Sequence, residues 1–139
     1  MDEQAVQTSV AHAPLVVART FLAGLVSQDF ARLGEALAPD VRLRALLPGG
    51  PREWTGAAAV IERFARWFGD TTQFESVEST AVEVGCRTHL RWRFRLQAER
   101  LGPGWFVVEQ LAYGDADERG QITRLDVLCS GYLAEGFDG

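Results

Sequence analysis

The chain predicts an α+β domain, with helices first and a meandering antiparallel sheet afterwards. Apolar residues recur at helical spacing between residues 14 and 68, and four long stretches of strand character follow from residue 74 onward. Short turns containing Gly85, "LGPG" and "DERG" separate those stretches. Long strands joined by short turns pair antiparallel, and helices followed by strands is the α+β order.

Residues 1–12 are polar and unpatterned and read as a tail, leaving 13–139 as a single domain. The first helix spans roughly 14–27: Pro14 suits a first helical position, and Val17, Phe21 and Leu25 form one apolar stripe. Asp29 can cap a short second helix carrying Phe30, Leu33 and Leu37, with Pro39 as its stop. "VRLRALL" reads as a strand and "PGGP" as a turn. Thr55 can cap a third helix whose stripe is Val60, Phe64, Trp67 and Phe68, and Gly69 ends it. The strands follow at 74–84, 87–98, 105–115 and 121–133.

Composition narrows the chemistry. The chain has 139 residues, 47% of them apolar and 24% charged, and a net charge of −5. That length can bury one core without a disulfide or a structural metal. All 14 basic residues are arginine, which excludes lysine Schiff-base chemistry and a Gly-Lys phosphate loop. Cys86 and Cys129 stand far apart and fit free thiols in a cytoplasmic protein. The N-terminus lacks the pattern of a signal peptide, and the longest apolar stretch, 15–26, is too short to span a bilayer. His12 and His89 have no neighbouring ligand at zinc spacing, and "GxSxG", "HExxH" and dinucleotide fingerprints are missing, so the expectation is cofactor-free chemistry with no metal.

"RTHLRWRFRLQ" raises the question of nucleic acid. On a strand, Leu90, Trp92, Phe94 and Leu96 share one face while His89, Arg91, Arg93 and Arg95 share the other. Placing Arg93 opposite Glu109 of the next strand puts Gln110 beside Trp92 on the inner face and Tyr113 near His89 outside. With the acidic net charge, this makes the stripe a paired outer surface. No nucleic-acid or membrane partner is expected, and pairing of two copies through Arg93, Arg95, Glu109, Leu111, Tyr113 and Val127 is.

The passage "PGGPREWTGAAAVIERFARWF" and the ending "WFVVEQLAYGDADERGQITRLDVLCSGYL" resemble the nuclear-transport-factor-2-like superfamily, nearest its SnoaL-like polyketide cyclase branch, over residues 14–133. The resemblance implies a cone: a strongly bent sheet wrapped around the long helix, enclosing a pocket for a small hydrophobic ligand, often in a homodimer. It implies cyclase, isomerase or dehydratase activity, or ligand carriage or protein binding without catalysis. The acidic base of ketosteroid isomerase has no counterpart here, because Ala45 and Leu46 stand at the matching place.

The glycine-ended turn "ERG" sets Asp117 opposite Gln121 and, counting onward, Ala112 opposite Asp126. Asp126, Leu128 and Ser130 then join Gln110 and Trp92 on the inner face. An aspartate among apolar neighbours would have a raised pKa suited to proton transfer, with Gln110 orienting a carbonyl or water. SnoaL-like enzymes are similar in using an inner acidic residue. Trp54, Phe64, Trp67, Trp92, Phe94, Leu128 and Ser130 would line the pocket. The alternatives are that Asp126 ties strands together, that the register is off by one and it faces solvent, and that the aromatic residues are plain core.

Overall fold

The computed structural model describes residues 2–136, with side chains from residue 14 onward. The first helix, α1, spans Asp2–Val26, so Pro14 stands inside it rather than at its first turn. The expectation of a polar tail over 1–12 falls outside the residues whose side chains are described. A short α2 (Phe30–Glu35) follows, capped as expected: the Asp29 carboxylate accepts from the Arg32 amide at 3.1 Å.

Two strands then intervene, β1 (Leu37–Leu47) and β2 (Gly50–Thr55), before α3 (Ala57–Phe68). The three helices are therefore not one N-terminal block. Residues "REW" belong to a strand rather than to a helix approach, and the cap of α3 is Gly56 at φ +98°, with Thr55 still in β2. The remaining strands are β3 (Gln73–Val84), β4 (Arg87–Gln97), β5 (Phe106–Ala116), β6 (Ile122–Cys129) and the short β7 (Leu133–Ala134).

The strands form one curved sheet in the order β2-β1-β6-β5-β4-β3, with β7 on β5. The sheet is mixed rather than purely antiparallel, because β1 and β6 run parallel with Arg44 beside Asp126 and Leu46 beside Leu128. The crossover between them contains α3 and the β3–β5 meander, which is how strands so distant in sequence become parallel neighbours. Edge strand β3 carries a bulge at Val77 and glutamates at 75, 78 and 83, devices that discourage pairing with a foreign strand.

Strict alternation sorts the two faces. In β4 every second residue from Thr88 to Leu96 is buried, and these residues meet the helices. Phe21 of α1, Phe64 of α3 and Trp92 of β4 pack around one point, with ring centroids 5.3, 6.0 and 6.2 Å apart. Phe68 and Phe74 close on Phe94 at 5.1 and 4.7 Å. Each such side chain contributes about 1.5–3 kcal/mol through burial, so this aromatic plug is the centre of stability. Among the described residues no helix is long and apolar enough to cross a membrane.

Candidate functional site

The inner face holds Trp92 and Gln110, two of the residues expected at a site. Arg93 does stand opposite Glu109, Trp92 opposite Gln110 and His89 opposite Tyr113, as the charge pairing requires. Trp92 and Gln110 are buried, and the indole Nε1–H donates to the amide oxygen of Gln110 at 2.9 Å. That bond satisfies both groups' most demanding atoms inside an apolar core. Phe64 and Phe94 are likewise fully buried and fill the interior. Trp54 and Trp67 meet each other edge to face at 5.7 Å and pack, partly buried, against that core.

Asp126 is not among them. The turn does set Asp117 opposite Gln121, its amide donating to the Gln121 carbonyl at 2.9 Å. Two residues further on, however, the ladder slips: Ala116 pairs with Ile122 but Asp115 with Arg124, so Thr123 is a bulge. The extra residue reverses every later side chain. Tyr113 rather than Ala112 stands opposite Asp126, and the inward residues are Leu125 and Val127. The expected inward placement of Asp126 and Leu128 is therefore corrected, and Val127 leaves the outer-face set. Ser130 is exposed at the end of β6, where its hydroxyl accepts from the Glu109 amide at 2.9 Å. A bulge of one residue beside a tight turn leaves no mark in the hydrophobic pattern of "QITRL".

On the outer face, Asp126 is a junction. It accepts from Arg44 Nε and Arg87 Nη2, each at 2.9 Å, and Arg124 Nε lies 3.4 Å away. Partial desolvation opposes ionisation, but the bonds from Arg44 and Arg87 and the charge of Arg124 outweigh it and hold the carboxyl below its usual range. That is the reverse of the raised pKa expected of an inner acid. Glu109 is also depressed, its desolvation outweighed by bonds from Arg93 at 2.9 Å and Arg91 at 2.9 Å. Arg95 joins Glu75 and Glu135. Each arginine of the stripe thus has a carboxylate partner.

These depressed carboxyls fix a pH dependence. A group whose folded pKa lies below its unfolded value stabilises the fold above the unfolded pKa, about 3.9 for Asp and 4.3 for Glu, and loses that contribution as pH falls through the folded pKa. Stability is expected to be level near neutrality and to fall from about pH 4.5 downward, with the slope reduced in Asp126→Asn. Urea melts across this range check it, and an unchanged slope in the variant would refute the role of Asp126.

Beside this lattice the outer face sinks into a depression of about 860 Å³. It is lined by the apolar Leu46, Leu111 and Leu128, by the rings of His89 and Tyr113, and by the charged Arg44, Arg52, Glu53 and Asp126. Leu46 is 51% and Leu128 49% exposed, and they stand side by side across the β1–β6 pair, so they form a patch rather than scattered leucines. The His89 ring packs at a tilt against Tyr113, centroids 4.8 Å apart, and its Nδ1 lies 3.0 Å from the Ala112 carbonyl oxygen. Arg44 and Leu46 are absent from the sequence-derived site. The alternation of "VRLRALL" puts Arg42, Arg44 and Leu46 on one face, but only the parallel pairing of β1 with β6 brings that face beside Asp126.

The family of the chain follows from this architecture and from sequence together. Residues 18–125 match the SnoaL-like domain family, and the chain belongs to it. Its shape is that of the nuclear-transport-factor-2-like fold. Bal32a, from a soil-derived mobile gene cassette, superposes with a TM-score of 0.71 at 16% identity, over 87% of this chain and 92% of that one. A phenazine biosynthesis-related protein of Pseudomonas aeruginosa gives 0.66 at 15% identity, covering 88% and 78%. An LEH-like epoxide hydrolase of M. tuberculosis gives 0.62 at 18% identity, covering 85% and 83%. At these identities the likeness is one of fold. No curated protein matches the chain by sequence.

Proposed function

We propose that this SnoaL-like domain is a non-catalytic binding protein, its cone interior serving as core and its outer sheet face as the binding surface. One observation carries the reading. Among the described residues the buried polar ones are Thr88 and Gln110, and Gln110 is engaged by Trp92. A cofactor-free cyclase, isomerase or dehydratase needs a positioned acid or base at the reacting atom, and the aspartate expected there faces outward. The epoxide hydrolase of similar shape is no obstacle, since one fold hosts unrelated functions.

A neutral apolar fluorophore, Nile red, tests this. Leu128→Asp puts a charge on the depression without touching the core and is expected to weaken dye binding about tenfold or more, the worth of one leucine contact. Trp92→Phe, a change confined to the interior, is expected to leave dye affinity within about twofold. Dye binding lost in Trp92→Phe and kept in Leu128→Asp would overturn the reading.

A further inference from the structure

The sheet ends at β3, and between that strand and α1 lies a groove of about 530 Å³. Its helix wall is Arg19, Leu22, Ala23 and Val26, spaced at i, i+3, i+4 and i+7 on one face of α1. Its other wall is the run of residues 79–82 in β3. Successive side chains of a strand point to opposite faces, so a wall made of consecutive residues is the strand's edge, where backbone N–H and C=O groups lie. Among the described residues nothing but β4 bonds the backbone of 79–82, which leaves the groups that point the other way open to the groove. The glutamates that guard this edge stand at 78 and 83, and the residues between them carry no charge. The guard has a gap, and the groove coincides with it.

We propose that this groove binds an extended peptide segment, which adds a strand to β3 and sets an acidic side chain on Arg19. The dimensions fit. From Arg19 to Val26 the helix rises about 10.5 Å, and from Ser79 to Val82 a strand spans about 10 Å, so helix and edge run beside each other for the length of the groove. Ladder bonds to the free edge supply affinity without regard to sequence, and the helix wall supplies selectivity. Ser79 and Ala81 stand opposite Trp92 and Leu90 and so face α1. Their small side chains leave room for a larger apolar one from the guest, against Leu22, Ala23 and Val26. Same-face residues of the guest lie two apart, about 6.6–6.8 Å, close to the distance of about 6 Å between Ala23 and Arg19 along the helix. Arg19 is the one charged side chain lining the groove, and its guanidinium has no partner among the described residues. A carboxylate two residues from the apolar side chain is its complement. The groove shares no residue with the outer-face depression.

Fluorescence polarisation of the full chain with a labelled, end-capped peptide, Thr-Val-Thr-Ile-Thr-Asp, tests this. The peptide is expected to bind saturably, and a counterpart ending in Asn to bind about threefold to fivefold more weakly, the upper worth of an exposed ion pair. A counterpart N-methylated at two adjacent central amides keeps every side chain but loses a ladder donor whichever edge it presents, and is expected not to bind. Arg19→Met should equalise the Asp and Asn peptides, and Arg19→Lys should keep part of the preference. Ser79→Glu, at an exposed position, closes the uncharged gap and is expected to abolish binding; should it fail to fold, Val82→Glu, at a half-exposed position, reads the same loss. Leu128→Asp, on the outer face, is expected to leave peptide affinity within about twofold, so this proposal and the outer-face reading stand or fall separately. No binding of the parent peptide, equal affinity for its Asn counterpart, undiminished binding of the N-methylated one, or binding that survives Ser79→Glu would each overturn the proposal. A dimer in light scattering that Ser79→Glu splits and that excludes the peptide would make a second copy the occupant and overturn it as well.

Discussion

Replacing Trp92 with alanine is expected to lower unfolding free energy by about 3–5 kcal/mol, the cost of emptying a fully buried aromatic site. Trp92 touches Phe21 and Phe64, which come from two different helices, so neither helix alone can close the gap. A second cost accompanies the first. Gln110 loses the indole donor and is left buried without it, which adds about 1–3 kcal/mol. The two contributions separate in a cycle: Trp92→Phe keeps most of the volume but orphans the amide, and Gln110→Met added to it removes the orphan. The double variant is expected to be more stable than Trp92→Phe alone. Denaturant melts of the three proteins decide it, and a double variant less stable than the single would mean that Gln110 has another task.

The second large effect is expected at Gly24, where α1 passes α2. A β-carbon there would stand 2.6 Å from the Leu33 backbone nitrogen and 3.0 Å from the Asp29 carbonyl oxygen. Those are main-chain atoms, fixed by the cap of α2 and by the Asp29 amide bonding the Gly24 carbonyl at 2.8 Å, so they cannot swing away as a side chain would. Gly24→Ala is expected to destabilise by about 1–3 kcal/mol through overpacking, despite alanine's better helix propensity. The contrast is Gly34, whose added methyl group would meet only the tip of Ile61 at 2.5 Å. Since that tip can change rotamer, Gly34→Ala is expected to cost less than Gly24→Ala. Thermal melts yielding the opposite order would refute the backbone-contact argument.

Much of this fold is legible in the sequence because two different periodicities agree with their ends. The Asp29 cap, the Gly69 stop and the β3–β5 strands follow from residue types whose local physics is strong, β6 is found but stops at Cys129 rather than 133, and the β4–β5 register follows from one charge pair, Arg93 with Glu109. What escapes is whatever depends on distant partners or on a single irregular residue. The β1–β6 parallel pairing joins segments some eighty positions apart, and nothing local announces it. The Thr123 bulge breaks the count between turn and strand, so a correct turn still yields a wrong face for Asp126. The expected inner site is displaced most, because its position depends on the count from that turn. The inner aromatic residues, placed by alternation within one strand, are where alternation puts them.

The end of α3 is held from outside the helix. The Trp67 carbonyl accepts from the Tyr132 hydroxyl at 2.6 Å and from Arg100 at 3.1 Å, Arg100 also reaches the Arg66 carbonyl at 3.2 Å, and the Gln28 side chain donates to the Phe68 carbonyl. Burial raises the Tyr132 pKa, keeping the phenol a donor throughout the neutral range. Carbonyls that a helix leaves open at its C-terminus are here answered by the α1–α2 corner, the turn after β4 and the segment after β6. Tyr132 thus behaves less like part of a tail than like a keystone. Tyr132 completes a helix that ended more than sixty positions earlier, and Gln28, which precedes that helix by two strands, closes on the same turn.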